Sequence, residues 1–395
     1  MTSARIKQKA LRLGYLGCGV IPAGAVEDYS QRLDERVSSF PQSKERYESL
    51  YKLAKPREGG KSIIVCTRRF NQYKIPDSLD GLVGKIYLVD SRVAYSGEHR
   101  ATLEFEAFLG MLGLKIIRGR VPDRWAAAKA GLGKFGHNNF IYSEEHGSQV
   151  WIDAWVVDKE LDYDSVEPSC MPACSDKCHK CIQACPTKAL SGSFSMDISK
   201  CITHLMYRDD MPDESLWPHL GTWLYGCDIC QDVCPYNQGK FVESEEFPLL
   251  AEFEDHLKPE RLLCIDEETY RGILQPRFWY TDEDESWIWK RNALRSMINS
   301  GDAKHHDLIR QSCNHEDPRV REVAEWGCRE CGLRPQMWSS GFGNEGYECG
   351  LWTANSEFGI MDGGYEDNSF CLRGLGASRL IPCRLSKRIK SKKTS

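Results

Sequence analysis

Cys174, Cys178, Cys181 and Cys185-Pro186, a lone Cys201, and Cys227, Cys230 and Cys234-Pro235 give this chain a spacing of thiols suited to electron transfer. With Cys170 they concentrate half of its 18 cysteines between Cys170 and Pro235. Close Cys-x2-Cys pairs on tight loops embrace one face of an iron–sulfur cubane, while a distant Cys-Pro supplies the last thiolate and its proline keeps the loop from continuing as helix. Where two such runs share a chain, the fourth thiol of each crosses to the other cluster. The pattern predicts one 4Fe-4S cluster on Cys174, Cys178, Cys181 and Cys234, and a second on Cys185, Cys201, Cys227 and Cys230. The upstream ligand departs from the usual spacing, since the position that would carry it holds Ser175. Cys174 needs a one-residue lengthening of the loop and Cys170 a far longer excursion, so Cys174 is the expected ligand. Zinc ribbons also use Cys-x2-Cys pairs, but zinc explains neither the Cys-Pro endings nor the crossed spacing.

The elements around this segment are bounded by composition. At 395 residues and 41% hydrophobic content the chain is long enough for two or three domains with ordinary cores. The polar, basic residues after Met1 contain no signal peptide, and no apolar run is long enough to span a membrane. A cytoplasmic location with reduced thiols follows as the expectation, and a disulfide framework is disfavoured. The formal net charge of −5 gives no global attraction to nucleic acid.

Ile6, Ala10 and Leu13 recur at helical spacing, which predicts a helix over about 4–17 that ends at Gly14 or Gly17. The charged and aromatic stretch 28–55 reads as exposed helix. Lys61–Thr67, Lys115–Arg118 and Val150–Val157 read as strands, the last with Trp151 and Trp155 on one face. A helix over 98–114 closes at Gly113. Strands alternating with helices imply an α/β domain over 1–160. A ferredoxin-like cluster domain follows over 161–245. Helices at 291–298, 307–313 and 317–326, the third capped by Asp317 and opened by Pro318, form a HEAT-like region within 246–334. Residues 335–395 read as an irregular tail with a basic end.

An alanine-rich helix from Asp123 stops at Gly131, and Gly131-Leu-Gly133-Lys-Phe-Gly136-His137 follows. On spacing alone this is a helix C-cap and a hairpin. Such a loop can also press its backbone against a flat or anionic ligand, which makes Gly131, Gly133, Gly136 and His137 the cofactor-binding candidates. It is no dinucleotide fingerprint, because the glycines end a helix where that motif must begin one.

With the cysteine runs, Ala130-Gly-Leu-Gly133-Lys-Phe-Gly136, Lys200-Cys201-Ile202 and Tyr225-Gly-Cys227-Asp-Ile-Cys230-Gln-Asp-Val-Cys234-Pro235 in view, residues 4 to 330 resemble the epoxyqueuosine reductase family. The resemblance implies a nitroreductase-like α/β domain that binds cobalamin, two 4Fe-4S clusters in a ferredoxin-like domain, and a HEAT-like tail. Reductive dehalogenases are similar in plan. The family opens an Asp-Ser-Ala-Pro-type segment with a catalytic Asp, and the ungapped count places that position at Ile117, which cannot donate a proton. Asp123 aligns with a helix acid of the family and reads as a helix-start residue. His137 also stands where the family has Lys.

The resulting expectation is a divergent cytoplasmic reductase that passes electrons from a low-potential donor such as ferredoxin or flavodoxin, through both clusters, to cobalamin and an unidentified small-molecule substrate. Its proton donor is unassigned, with His137, Tyr95 and Tyr142 as candidates, and epoxyqueuosine turnover is expected to be slow or absent. An electron-transfer protein that reactivates a corrinoid is the alternative. A tRNA-modifying role would need a basic face, for which Arg118, Arg120, Arg124 and the tail are available. Anaerobically reconstituted protein should carry about eight irons per chain; zinc in their place, with no iron, would refute the cluster reading.

Overall fold

The computed structural model describes residues 2–55, 57–164, 167–174 and 177–334. Ser175 and the tail expected over 335–395 lie outside the described residues. The strands are β1 (Gly17–Pro22), β2 (Ser62–Arg69), β3 (Ile116–Ile117), β4 (Lys134–Phe135), β5 (Ile141–Tyr142), β6 (Val150–Val157), β7 (Leu190–Gly192) and β8 (Ser195–Met196). The main sheet runs β1-β2-β6-β3, and its neighbouring strands are all antiparallel.

Because successive side chains of a strand point to opposite faces, the apolar run of β2 must be covered twice. Ile63 and Val65 pack on one face with Ala126, Ala127 and Ala128 of the helix Asp123–Lys129. Ile64 and Cys66 pack on the other with Ile6 and Ala10 of the helix Thr2–Arg12 and Phe105 and Leu109 of the helix Gly97–Met111. Helices on both faces give the α/β layering expected from the alternation of elements.

Two local features differ from the sequence reading. The first helix ends at Arg12, and Gly14 at φ +85° turns the chain into β1, a strand that the run Gly-Cys-Gly-Val-Ile-Pro conceals behind two glycines and a proline. The stretch 29–54 forms two helices, yet Leu33, Arg36 and Tyr47 are buried in it.

The largest core takes residues from each of the three spans marked out by composition. Phe70, Leu88 and Val93 from the first pack together with Leu205, Trp217 and Leu224 from the second and Trp289, Leu294 and Val320 from the third. Its axis is the helix Ser286–Ser300, buried along most of its length. This helix also satisfies irregular backbone. Arg291 donates to the carbonyls of Leu205 (3.1 Å) and Asp210 (2.8 Å), Asn292 to those of Met206 (2.7 Å) and Leu224 (2.9 Å), Asn299 to that of Trp217 (2.8 Å), and Arg295 to those of Gly221 and Trp223. Burial pulls the Arg295 pKa down to about 9 and that of Arg291 down to about 10. The helix Pro318–Glu330 packs alongside, with the side chain of Asp317 accepting from the Arg319 amide as its cap and Pro318 in its first turn. Among the described residues no helix is long and apolar enough to cross a membrane.

The helix Asp123–Lys129 lies so close to β1 that a Cβ on Gly19 would meet both Cβ and O of Ala130 at 2.8 Å. The obstruction is backbone, so Gly19→Ala should cost about 1–3 kcal/mol through overpacking. It would be read as a lower urea midpoint at unchanged slope.

Candidate functional site

The chain reverses after Gly131, which holds φ +74°, and the hairpin of β4 and β5 folds back against the cluster segment. Phe135 donates from its amide to Ser169 O (2.8 Å) and accepts from the Met171 amide (2.9 Å). A Cβ on Gly133 would strike Ile141 and the Tyr142 carbonyl, and one on Gly136 would strike the Tyr142 ring. These glycines therefore serve the close approach of the hairpin strands.

The two predicted thiol sets converge separately. Burial pushes the Cys181 thiol up to about 11, and Cys174, Cys234 and Cys178 add to the rise. Cys174 is raised by burial, then lowered by the backbone N–H of His137, with Cys234, Cys178 and Cys170 raising it again. In the other set, burial raises Cys201, opposed by the His204 and Thr203 amides, and Cys185 stands beside it. Cys227 is raised by burial and then by Cys201, Asp228 and Cys185, while Cys230 is raised by burial and then by Cys227 and Cys201. Cys230 also senses Cys181, so the two sets are neighbours. Crowded, buried thiols of this kind lose their protons readily only to an electropositive centre, and amide N–H groups aimed at sulfur tune such a centre. The thiols that act on one another electrostatically fall into the two groups of the expected crossed assignment, although among the described residues no three His, Cys, Asp or Glu side chains are set to hold a metal ion.

His137 and Asn138 tie both sets to one loop. His137 Nδ1 is 2.9 Å from Cys178 O, and its ring stacks on that of His179 at 5.9 Å. Asn138 Nδ2 donates to Cys230 O (3.0 Å) and to the Tyr142 hydroxyl (2.9 Å). That hydroxyl in turn meets the Cys234 thiol, and its pKa is raised first by burial and then by that thiol.

Beside the second set opens a cavity of about 2950 Å³, well above the roughly 300–1,000 Å³ of ordinary ligand pockets. Cys185, Cys201, Cys227 and Cys230 line it, together with Tyr87, Tyr207 and Tyr280. The rings of Tyr207 and Tyr280 stack at 5.1 Å. None of Gly131, Gly133, Gly136 and His137 is among its lining residues; their neighbours Phe135, Asn138, Asn139 and Phe140 are. The hairpin accounts for the close packing at Gly133 and Gly136, and His137 turns to the first thiol set.

Asp123 lies on the cavity wall. Burial pushes its carboxyl up to about 6, against the pull of Arg120 (4.0 Å), Arg92 and Arg124, and Asp153 pushes it in the same direction as burial. Its placement at the head of a helix is the role read from sequence, and its opening onto the cavity is a second one. Asp153, on β6, also faces the cavity; burial raises its pKa, Arg68 opposes, and the Tyr15 hydroxyl donates to it at 3.1 Å. The sequence carried a signal for it, a lone carboxylate inside an apolar strand, that periodicity alone passed over. Ile117 lines the cavity from β3, and Tyr95 lines it while bonded to Arg277. Tyr142 is not among the lining residues.

Residues 170–237 match the family described as the 4Fe-4S double cluster binding domain. The chain is 28% identical over 319 residues to an epoxyqueuosine reductase of Cellulophaga algicola, covering 77% of this chain and 97% of that protein. It is 31% identical over 259 residues to one of Leadbetterella byssophila, covering 62% and 83%. A solved epoxyqueuosine reductase, in a complex with a tRNA-Tyr epoxyqueuosine-modified stem loop, superposes with TM-score 0.66 at 21% identity over 84% of this chain and 90% of that one, which establishes a shared fold. Cys174→Ala should lose one cluster, seen as about half the iron of the parent protein, whereas Cys170→Ala should keep both. The reverse pattern of iron contents would make Cys170 the ligand.

Proposed function

The chain belongs to the epoxyqueuosine reductase family, and from that premise we propose that this oxidoreductase passes electrons through two 4Fe-4S clusters to cobalamin and reduces epoxyqueuosine in tRNA. The observation that carries the reading is one cavity lined both by the second thiol set and by Asp123. The second set lines the cavity and the first does not, which makes the first the outer station and the second the inner one.

The cavity suits a corrinoid on two counts. Its volume is ample, and Trp151 Nε1, Arg46 Nη1, Arg57 Nε and Arg277 Nε are buried donors on its lining side chains with no partner among the described residues. A corrinoid rim carries carboxamide carbonyls that accept from such groups, and a buried donor left unpaired is costly. When bound, cobalamin supplies a cobalt centre that takes electrons singly or attacks as a nucleophile. Bound there, it would be held in the cavity that Cys201 and Cys227 line, and Tyr87, Tyr207 and Tyr280 would exclude water from it.

Expelling the oxygen of an epoxide as water, with formation of a carbon–carbon double bond, consumes electrons and protons in equal number. Asp123, which keeps its proton to a higher pH than an ordinary carboxyl, supplies a proton to the departing oxygen where Ile117 cannot. Arg118, Arg120 and Arg124 flank it on the cavity wall and suit the phosphates of a tRNA loop. Ile117 favours a second reading, in which the protein binds cobalamin but acts on another substrate or reactivates a corrinoid elsewhere.

With cobalamin, a strong reductant and epoxyqueuosine-containing tRNA, turnover should fall as pH rises through about 6, the Asp123 value, because only the protonated carboxyl donates. Asp123→Asn should lower the rate by about 10²–10⁴-fold and remove that limb of the pH profile. A parent protein that binds cobalamin but forms no queuosine would support the second reading.

A further inference from the structure

We propose that the basic, exposed surface over the first thiol set is the docking site of a small acidic electron-donor protein. The proposal rests on the reading of the two sets as an outer and an inner cluster. Between Asp176 and Asp197 the sequence has no carboxylate, although the chain as a whole is net negative. Lys177, His179 and Lys180 flank Cys178 and are exposed, and Lys188 lies exposed on the same segment. Among the described residues neither Lys177 nor Lys180 is held in an ion pair, in contrast to Lys85, which is shared by Asp80, Asp228 and Asp232.

An exposed aromatic ring stands two residues beyond Cys234, a thiol of the same set. Beyond Cys234-Pro235 the ring of Tyr236 is 37% exposed, with Lys240 Nζ over it at 5.7 Å. Exposed aromatic surface rimmed by cations is suited to protein contact. Electrons must also enter on this side, because the other thiol set faces the cavity that the substrate would occupy. Partners that meet briefly to exchange one electron use small interfaces and rely on opposite charge for their encounter rate. The complement of Lys177 and Lys180 is a donor with carboxylates around its redox centre. The same lysines could instead meet RNA phosphates, and the experiment separates the two.

The test uses full-length protein with reconstituted clusters and a flavodoxin reduced to its hydroquinone, following cluster bleaching by stopped flow at low and high salt. The parent rate should fall with salt. Lys177→Glu/Lys180→Glu, at the parent's iron content, should lower the low-salt rate roughly tenfold and flatten the salt dependence. Should the charge reversal lose iron, Lys177→Gln/Lys180→Gln carries the same test with half the change in charge. An unchanged rate and salt slope would overturn the docking site while leaving the cluster reading intact. So would a double variant that loses tRNA binding in a gel shift but keeps its rate with flavodoxin. A parent protein without iron or a reduced-cluster electron paramagnetic resonance signal would overturn the functional reading, and the docking site with it.

Discussion

Irregular backbone must be hydrogen-bonded by something when it is buried, and the course of the cluster segment follows from that constraint. Thiols from Cys201 and from Cys227 to Cys234 can converge only if the chain between them bends repeatedly, leaving carbonyls that no strand or helix partner can reach. The helix Ser286–Ser300 resolves this with Arg291, Asn292, Arg295 and Asn299, whose side chains reach the carbonyls of Leu205 through Leu224. Arg295 makes these bonds deep in the core, and burial lowers its pKa. A buried guanidinium is costly, and its cost is offset here by carbonyls that would otherwise be orphaned.

The thiol pattern was readable because its spacing is chemical. Cys-x2-Cys and Cys-Pro encode ligand geometry directly, and residues 170–237 match a 4Fe-4S double cluster binding domain. β2 and β6 were readable for a related reason, as apolar runs covered on both faces. β1 was not, because its Gly19 lets the end of the Asp123–Lys129 helix approach at Ala130, a requirement set by a partner more than a hundred residues away. Asp123 illustrates the same limit at the site. Its local context reads as a helix start, and only the tertiary cavity raises its carboxyl above the ordinary carboxylate range.

The Gly131–Gly136 loop shows how a glycine motif answers to the strand beside it. Three glycines in six residues do mark a close approach. The approach is to Ile141 and Tyr142 of the adjoining strand, and the loop's functional contacts pass to His137 and Asn138, which carry side chains. Because adjacent residues grip Cys178 O and Cys230 O, one short loop sets the separation of the two thiol sets.

The dependence of the 205–224 carbonyls on Arg291, Asn292, Arg295 and Asn299 also bears on biosynthesis. Chains are made from the N-terminus, and a ribosome that has released Cys234 still withholds the helix that completes the backbone around Cys201 and Cys227. The outer thiol set draws none of its described contacts from that helix, whereas the inner set lies against a core that the helix organises. The backbone around the inner set is therefore completed only once residue 300 has emerged, after all eight of the predicted ligands have been made.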